Sequence, residues 1–197
     1  MENLINRVKN VLVSPKTEWQ AIEAENAPHA KVFTTYVVPL ALIPAVAAFI
    51  GYGLIGYSVS GLHFASIGFG IRQAIIQYVL MLGGTYLTAF IIDALAVNFG
   101  AQKDFNRAFS LVAYAYTPMF LAGIFYILPL LAGIALLAGL YGLYLLYIGL
   151  QPMMKVPSEK QTAYFIVSLI VMVVVWGILL FLLTAILMRG MYPSFKF

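Results

Sequence analysis

The chain has 197 residues, of which 63% are hydrophobic and only 9% are charged, and its formal net charge is +4. Soluble domains carry about a quarter charged residues, so this composition excludes an ordinary water-soluble fold. With a mean hydropathy of +0.96, the chain is predicted to be an integral membrane protein.

The same composition limits the chemistry of the protein. There is no cysteine, and the two histidines, His29 and His63, lie far apart without an acidic pair nearby. Disulfides and thiolate metal sites are therefore excluded, and any other metal site has little support. The absence of a Lys/Arg-rich run argues against nucleic-acid binding. Because no catalytic or phosphate-binding motif can be recognised, we expect neither an enzyme nor a cofactor.

Residues 1–31 form a separate amphipathic N-terminal segment, predicted to be cytoplasmic. They mix acidic and basic residues and lack the apolar core of a cleaved signal peptide. Ser14 followed by Pro15 predicts a cap and the start of a second short helix. Two arrangements remain open: the segment lies along the inner membrane surface, or it packs on the cytoplasmic loops of the protein. The predicted membrane-surface residues are Leu4, Ile5, Val8, Val11, Leu12 and Trp19.

Five long apolar stretches predict an all-α bundle of about five transmembrane helices, since a helix needs about 20 apolar residues to cross a bilayer. Pro129 is predicted to mark the turn between the third and fourth spans, and Pro118 is expected to kink the third. Pro152 is assigned to the loop 151–161. The membrane domain, 32–188, contains spans at 32–57, 73–97, 108–128, 130–150 and 162–188, and a short tail, 189–197, follows.

The distribution of basic residues predicts the orientation. With the N-terminus inside, eight Lys and Arg residues lie on the inner side and three on the outer side. Cytoplasmic loops carry an excess of Lys and Arg, so the N-terminus is predicted to be cytoplasmic and the C-terminus to be outside.

Asp93 is the one acidic residue inside a predicted span. Burial of a charge in a membrane is costly, so such residues are candidates for function. Asp93 lies near the inner end of its span, where the helix dipole disfavours negative charge, and this predicts an ion pair with Lys103 or Arg107. A structural pair with Arg107 is the favoured interpretation, and a transport or substrate role is the alternative.

Tyrosines recur on the third and fourth spans. They are predicted to pack in the bundle with their hydroxyls bonded to neighbours, and the alternative is that they line a polar path. Those considered are Tyr114, Tyr116, Tyr141, Tyr144 and Tyr147.

Short segments in a fixed order resemble the Ypt-interacting protein (YIP) family. The opening Leu12-Val13-Ser14-Pro15 with Glu18-Trp19 is similar to the N-terminal region of short bacterial members. The other matching segments are Asn98-Phe99-Gly100, Asp104-Phe105, Arg107-Ala108, Ala113-Tyr114-Ala115, Thr117-Pro118 and the run from Tyr141 to Leu150.

The resemblance implies five spans, a cytoplasmic N-terminus and, for a bacterial-type member, the cytoplasmic (inner) membrane. Eukaryotic members are linked to Rab-type GTPases and vesicle traffic, and carry an Asp-Leu-Tyr-Gly-Pro motif. This sequence lacks that motif, which argues against Rab binding.

The expected function is therefore that of a non-enzymatic multi-pass membrane protein that binds protein partners, or a second copy of itself, or that organises and shapes the local bilayer. The alternative is a small transporter or channel for an ion or polar solute, with Asp93, Arg107, Tyr114 and Tyr116 along an inner vestibule. The scarcity of polar residues near the middle of the spans favours the first function.

Overall fold

The computed structural model describes residues 4–59, 62–128 and 131–191. Within these ranges it is an all-α bundle with five helices long and apolar enough to cross a membrane, as predicted. The predicted turn at Pro129 and most of the predicted tail lie outside the described residues. The helices are α1 (Leu4–Val13), α2 (Pro15–Glu25), α3 (His29–Ile55), α4 (Ile67–Phe99), α5 (Phe105–Ile127), α6 (Ala132–Met154) and α7 (Ser158–Met191).

A two-stranded antiparallel hairpin connects α3 to α4. Its strands are β1 (Tyr57–Val59) and β2 (Leu62–Phe64), with Ser58 opposite His63. The β-hairpin, the end of α5 and the start of α6 lie at one end of the bundle. The opposite end, which we call the N-terminal face, comprises the start of α3 and the short connections between α4 and α5 and between α6 and α7.

Helix α3 is irregular because it contains two prolines. A proline donates no hydrogen bond, and its ring crowds the carbonyl four residues earlier. The wider π-helical turn Phe33–Val37 lies directly before Pro39, and such turns accommodate a displaced carbonyl. The Thr35 hydroxyl donates to the Lys31 carbonyl at 2.7 Å, so a carbonyl at the start of the span has a hydrogen-bond partner.

Helix α5 is interrupted at Tyr116, as expected from Pro118. It consists of Phe105–Ala115, then Thr117–Ala122, and it ends in a 3-10 turn. Its start is fixed by the Asp104 carboxylate, which accepts the backbone N–H groups of Asn106 and Arg107 at 2.9 and 3.3 Å. Such a side-chain cap satisfies donors that have no partner within the helix, so α5 begins before the predicted residue 108.

Two helices extend beyond the predicted spans. Helix α6 continues through Pro152 to Met154 and ends at Lys155, which has a left-handed backbone with φ 53°. Because Pro152 lies in the last turn, it removes only the hydrogen bond that residue 152 would donate to the Ile148 carbonyl. Helix α7 includes Arg189, which the sequence assigned to the tail.

The core lies around the first part of α5, where every residue from Ala108 to Ala115 is buried. Helices α1, α2, α3, α4 and α6 surround it and contribute to one buried apolar cluster. Helix α7 packs on α4 and α6 at the edge of the bundle. The N-terminal face is therefore the most densely enclosed part of the described structure.

Candidate functional site

Helices α1 and α2 form an antiparallel helical pair, the N-terminal hairpin, which packs against the spans themselves. Val11, Trp19 and Ile22 are 1–3% exposed and belong to the core cluster, and Leu4 and Val8 pack against it. The sequence left two arrangements open, and in the structure this segment packs on the protein itself. The contact is with α5 and α6 themselves, however, and extends well beyond the loops that precede α5 and follow α6.

The hairpin reaches far along the bundle. The Tyr141 hydroxyl donates to the Leu12 carbonyl, near the tip of the hairpin, at 2.7 Å. Tyr141 precedes Met154, the last residue of α6, by about three and a half turns, or roughly 20 Å. At the other end of α2, Glu23 bonds Lys155, directly after α6, at 2.6 Å. The hairpin therefore extends from the N-terminal face to about half the length of the spans.

Trp19 holds α2 against α6 and α5. Its ring lies over Gly149, where an added Cβ would stand 2.6 Å from Trp19 and 2.7 Å from Leu111. The ring also meets Tyr114 edge-on, with centroids 6.5 Å apart. Only glycine at position 149 allows this close approach, because any larger side chain would displace the indole.

A buried ion pair connects the two helices of the hairpin. Arg7 and Glu18 are 6% and 7% exposed, and their side chains are 2.6 Å apart. Arg7 also bonds Glu25 and lies 5.7 Å from the ring centroid of Tyr114. Burial alone would lower the pKa of Arg7, but the hydrogen bond to Glu25 and the nearby negative charges raise it above its usual value. The guanidinium therefore remains charged inside the protein.

A second ionic group joins the hairpin to the ends of α5 and α6. Glu23 bonds Lys155 and, at 3.1 Å, Arg107, which also lies 3.5 Å from Asp104. Hydrogen bonds from Lys155 and Arg107 lower the pKa of Glu23 below its ordinary value. The predicted pair between Asp93 and Arg107 does not form, because Arg107 faces the carboxylates of the hairpin and of its own helix cap. Lys103 is exposed.

Asp93 lies instead at the contact of α4 with α7. It is 8% exposed, and its Oδ1 has no hydrogen-bond partner among the described residues. The Tyr164 hydroxyl, on α7, donates to the neighbouring Ile92 carbonyl at 2.5 Å. Phe99 stacks on Tyr164 with ring centroids 5.0 Å apart, so this aromatic pair joins the end of α4 to α7.

The tyrosines form separate contacts. Tyr116 and Thr88 share a hydrogen bond of 2.8 Å between their hydroxyls, and Tyr144 stacks on Tyr141 while remaining 45% exposed. Tyr114 lies beside Arg7 and packs edge-on against Tyr36 at 4.6 Å. The structure therefore does not bring Asp93, Arg107, Tyr114 and Tyr116 into one vestibule.

The charged residues that organise this face were missed in the sequence, although one signal was present. At 100° per residue, Arg7 falls on the same side of α1 as Leu4 and Val11, and a charge on an apolar helix face indicates a buried partner. Glu18 lies one turn before Ile22 on α2 and gave the same signal. Glu23 and Lys155 gave none, because neither lies on an apolar helix face.

A cavity of about 500 Å³ lies between α1, the end of α2 and the start of α3. Among the described residues, its wall contains one acidic side chain, Glu25, and apolar side chains that include Leu4 and Val32. Its other polar lining residues are Arg7, Lys31, Thr35, Tyr36 and Tyr114.

Comparison with known proteins identifies the family. The Yip1 domain model matches residues 9–188, which include most of the hairpin and all five spans. The chain belongs to the Yip1 family. This confirms the family resemblance drawn from the sequence, and the protein is an integral membrane protein of this family.

Two curated relatives in the Yip1 family extend the comparison. The chain is 28% identical over 196 residues to the inner membrane protein YohC of Escherichia coli strain K12, covering 97% of this chain and 100% of the relative. The protein of the same name from Escherichia coli O6:H1 matches equally. No solved structure matches the chain significantly.

Proposed function

We propose that this Yip1-family protein is a non-enzymatic membrane protein that binds a protein partner, or a second copy of itself, through the outer face of the N-terminal hairpin. One observation carries the proposal: the hairpin lies alongside the spans, yet the outer face of its second helix, α2, is polar. The exposed residues of this face include Lys16, Thr17 and Gln20.

The depth of the hairpin makes this polarity significant. Surfaces that face lipid are apolar, because hydrocarbon offers no hydrogen bonds to side chains or backbone. Helix α7 follows this rule, with Ile170, Val173 and Val174 between 53% and 66% exposed. The polar outer face of α2 breaks it, so contact with another protein would satisfy these groups better than lipid.

The same hairpin supports the bilayer-organising function as a second candidate. It adds two helices to the N-terminal side of the bundle only, so the protein is wider in one leaflet. Ile5 and Val13, on the outer side of α1, are each 71% exposed and suit contact with acyl chains beside Lys9. A protein wider in one leaflet favours a curved bilayer.

The location follows from the relatives and from the charges. YohC is named an inner membrane protein, and the excess of Lys and Arg at the N-terminal face favours a cytoplasmic position for that face. We propose the bacterial inner membrane with the N-terminus inside and the C-terminus outside. Single cysteines at Gln102 and Ser58 can be introduced cleanly because the chain has none. Only the second should label from outside, and external labelling of Gln102 would contradict this orientation.

The partner proposal is tested by cross-linking in intact cells. A photoreactive phenylalanine analogue at Gln20 should give a discrete protein adduct, at twice the chain mass if the partner is a second copy. The same analogue at Val173, which is exposed on α7, should give only lipid adducts. The proposal fails if Gln20 yields no protein adduct or the same adducts as Val173. A solute or ion flux in proteoliposomes that Asp93→Asn abolishes without loss of stability would favour the transport alternative.

A further inference from the structure

We propose that the cavity between α1 and α3 binds the headgroup of a zwitterionic phospholipid with a primary ammonium, as in phosphatidylethanolamine. The cavity lies on the opposite side of α1 from Lys9, which is exposed, whereas Arg7 lines the wall. Lipid binding here does not depend on a protein partner at the outer face of the hairpin, so the two proposals can fail separately.

The charges of the site select a zwitterion. Arg7 is shared between Glu18 and Glu25, and Lys31 is an exposed cation on the facing wall. Among the described residues, these two cations and two carboxylates cancel, so they do not favour a purely anionic lipid. Lys31 is placed to bind a phosphate, and the Glu25 side chain, which is 48% exposed, can accept hydrogen bonds from an ammonium group.

The position of the opening favours a lipid over a soluble molecule. Lys31 and Thr35 both line the cavity and are both exposed, one turn apart on α3. The opening therefore extends about 6 Å into the first span from its charged end, toward the surrounding bilayer. Leu4 and Val32 provide apolar wall beside it, which suits the glycerol and the first carbons of the acyl chains.

The inner end of the cavity is aromatic. The rings of Tyr36 and Tyr114 meet edge-on there, and the Tyr36 hydroxyl is already bonded to Thr117 at 2.6 Å. Recognition therefore rests on Lys31 and Glu25 near the opening. The volume of about 500 Å³ lies within the range of sites that bind small molecules, roughly 300–1,000 Å³.

The test is native mass spectrometry of the full chain after exposure to equal amounts of phosphatidylethanolamine, phosphatidylglycerol and phosphatidylcholine with identical acyl chains. Phosphatidylethanolamine should be retained about fivefold more than either competitor, because only its headgroup combines a phosphate with an ammonium that donates hydrogen bonds. Lys31→Gln should lower the amount of phosphatidylethanolamine retained, because it removes the cation that binds the phosphate. Thr35→Leu should also reduce it, because the larger side chain narrows the opening.

Two matched controls separate the site from general effects. Lys16→Gln removes an exposed lysine outside the cavity, and Thr34→Leu changes the neighbouring exposed threonine, which does not line it. Both should retain the preference. Equal retention of the three lipids, or equal loss in Lys31→Gln and Lys16→Gln, would overturn the proposal. So would displacement of the lipid by an equal concentration of soluble glycerophosphoethanolamine, because that result would assign the site to a free headgroup.

Discussion

The N-terminal hairpin and helix α7 reverse the usual relation between apolarity and burial. The hairpin is the more polar of the two, yet Val11, Trp19 and Ile22 lie in the core. Helix α7 is strongly apolar, yet only 17% of its most apolar stretch is buried, against 72% for α5. Lipid is as apolar as a leucine side chain, so apolarity alone does not draw a helix into a membrane protein. Close packing and ion pairs do, and the hairpin has both.

The most severe test of this comparison removes the buried guanidinium. Arg7→Ala should lower the free energy of unfolding in detergent by about 3–5 kcal/mol, because it removes the guanidinium from the buried carboxylate of Glu18. Unfolding can be followed by circular dichroism during titration with a denaturing detergent. Lys9→Ala, on the exposed side of the same helix, is the control and should change stability by less than about 0.5 kcal/mol. A loss below about 1 kcal/mol for Arg7→Ala would mean that the pair does not hold the hairpin.

A single methyl group at the contact of α2 with α6 should have the next largest effect. Gly149→Ala should destabilise the protein by about 1–3 kcal/mol, because its Cβ would overlap the Trp19 ring. Gly139→Ala lies on the same helix with nothing within 4 Å of the added Cβ. It should be neutral or slightly stabilising, by up to about 1 kcal/mol. Equal effects of the two variants would show that Trp19 does not depend on this close approach.

The partner of Arg107 can be established by comparing double variants. The losses of stability in Asp93→Asn and Arg107→Gln should add to within about 0.5 kcal/mol, because the two side chains do not interact. Glu23→Gln and Arg107→Gln should instead be less than additive. Non-additive losses for Asp93→Asn combined with Arg107→Gln would support the ion pair predicted from the sequence.

The ionic contact of Glu23 should also make the hairpin sensitive to acid. The pKa of Glu23 in the folded protein lies below the ordinary value of 4.5, so its contribution to stability is fully present above that pH. The contribution is lost as the pH falls through the lower pKa of the folded state. Denaturant titrations between pH 3 and pH 6 should therefore show a smaller acid-induced loss in Glu23→Gln than in the unmodified chain. An identical loss would assign the acid sensitivity to other carboxylates.

The smallest effect is expected on α7. Val173→Ala, at a position that is 66% exposed, should change stability in detergent by no more than about 0.5 kcal/mol. The same substitution should leave the helix content unchanged by circular dichroism. A loss comparable to that of Gly149→Ala would show that α7 is covered by protein, and would remove the contrast with the hairpin.

The sequence predicted the transmembrane helices well because each depends on its own residues. Charge-free length determines whether a segment crosses the bilayer, and Pro118 interrupts α5 wherever that helix lies. The helices extend beyond the predicted spans at several ends. The cap at Asp104 and the passage of α6 through Pro152 depend on local hydrogen bonds that hydropathy does not register.

The tertiary structure decided which residues meet. Arg107 bonds Glu23, 84 positions earlier, and Tyr141 bonds Leu12, 129 positions away, although nothing in the spacing of these residues predicts either contact. The sequence by itself determined a membrane protein with five helices long and apolar enough to cross a bilayer. Only the tertiary structure decided that the N-terminal segment packs against the spans. The free energy of transfer into lipid acts on each segment separately. Ion pairs and close helix contacts, by contrast, form only when two elements are neighbours.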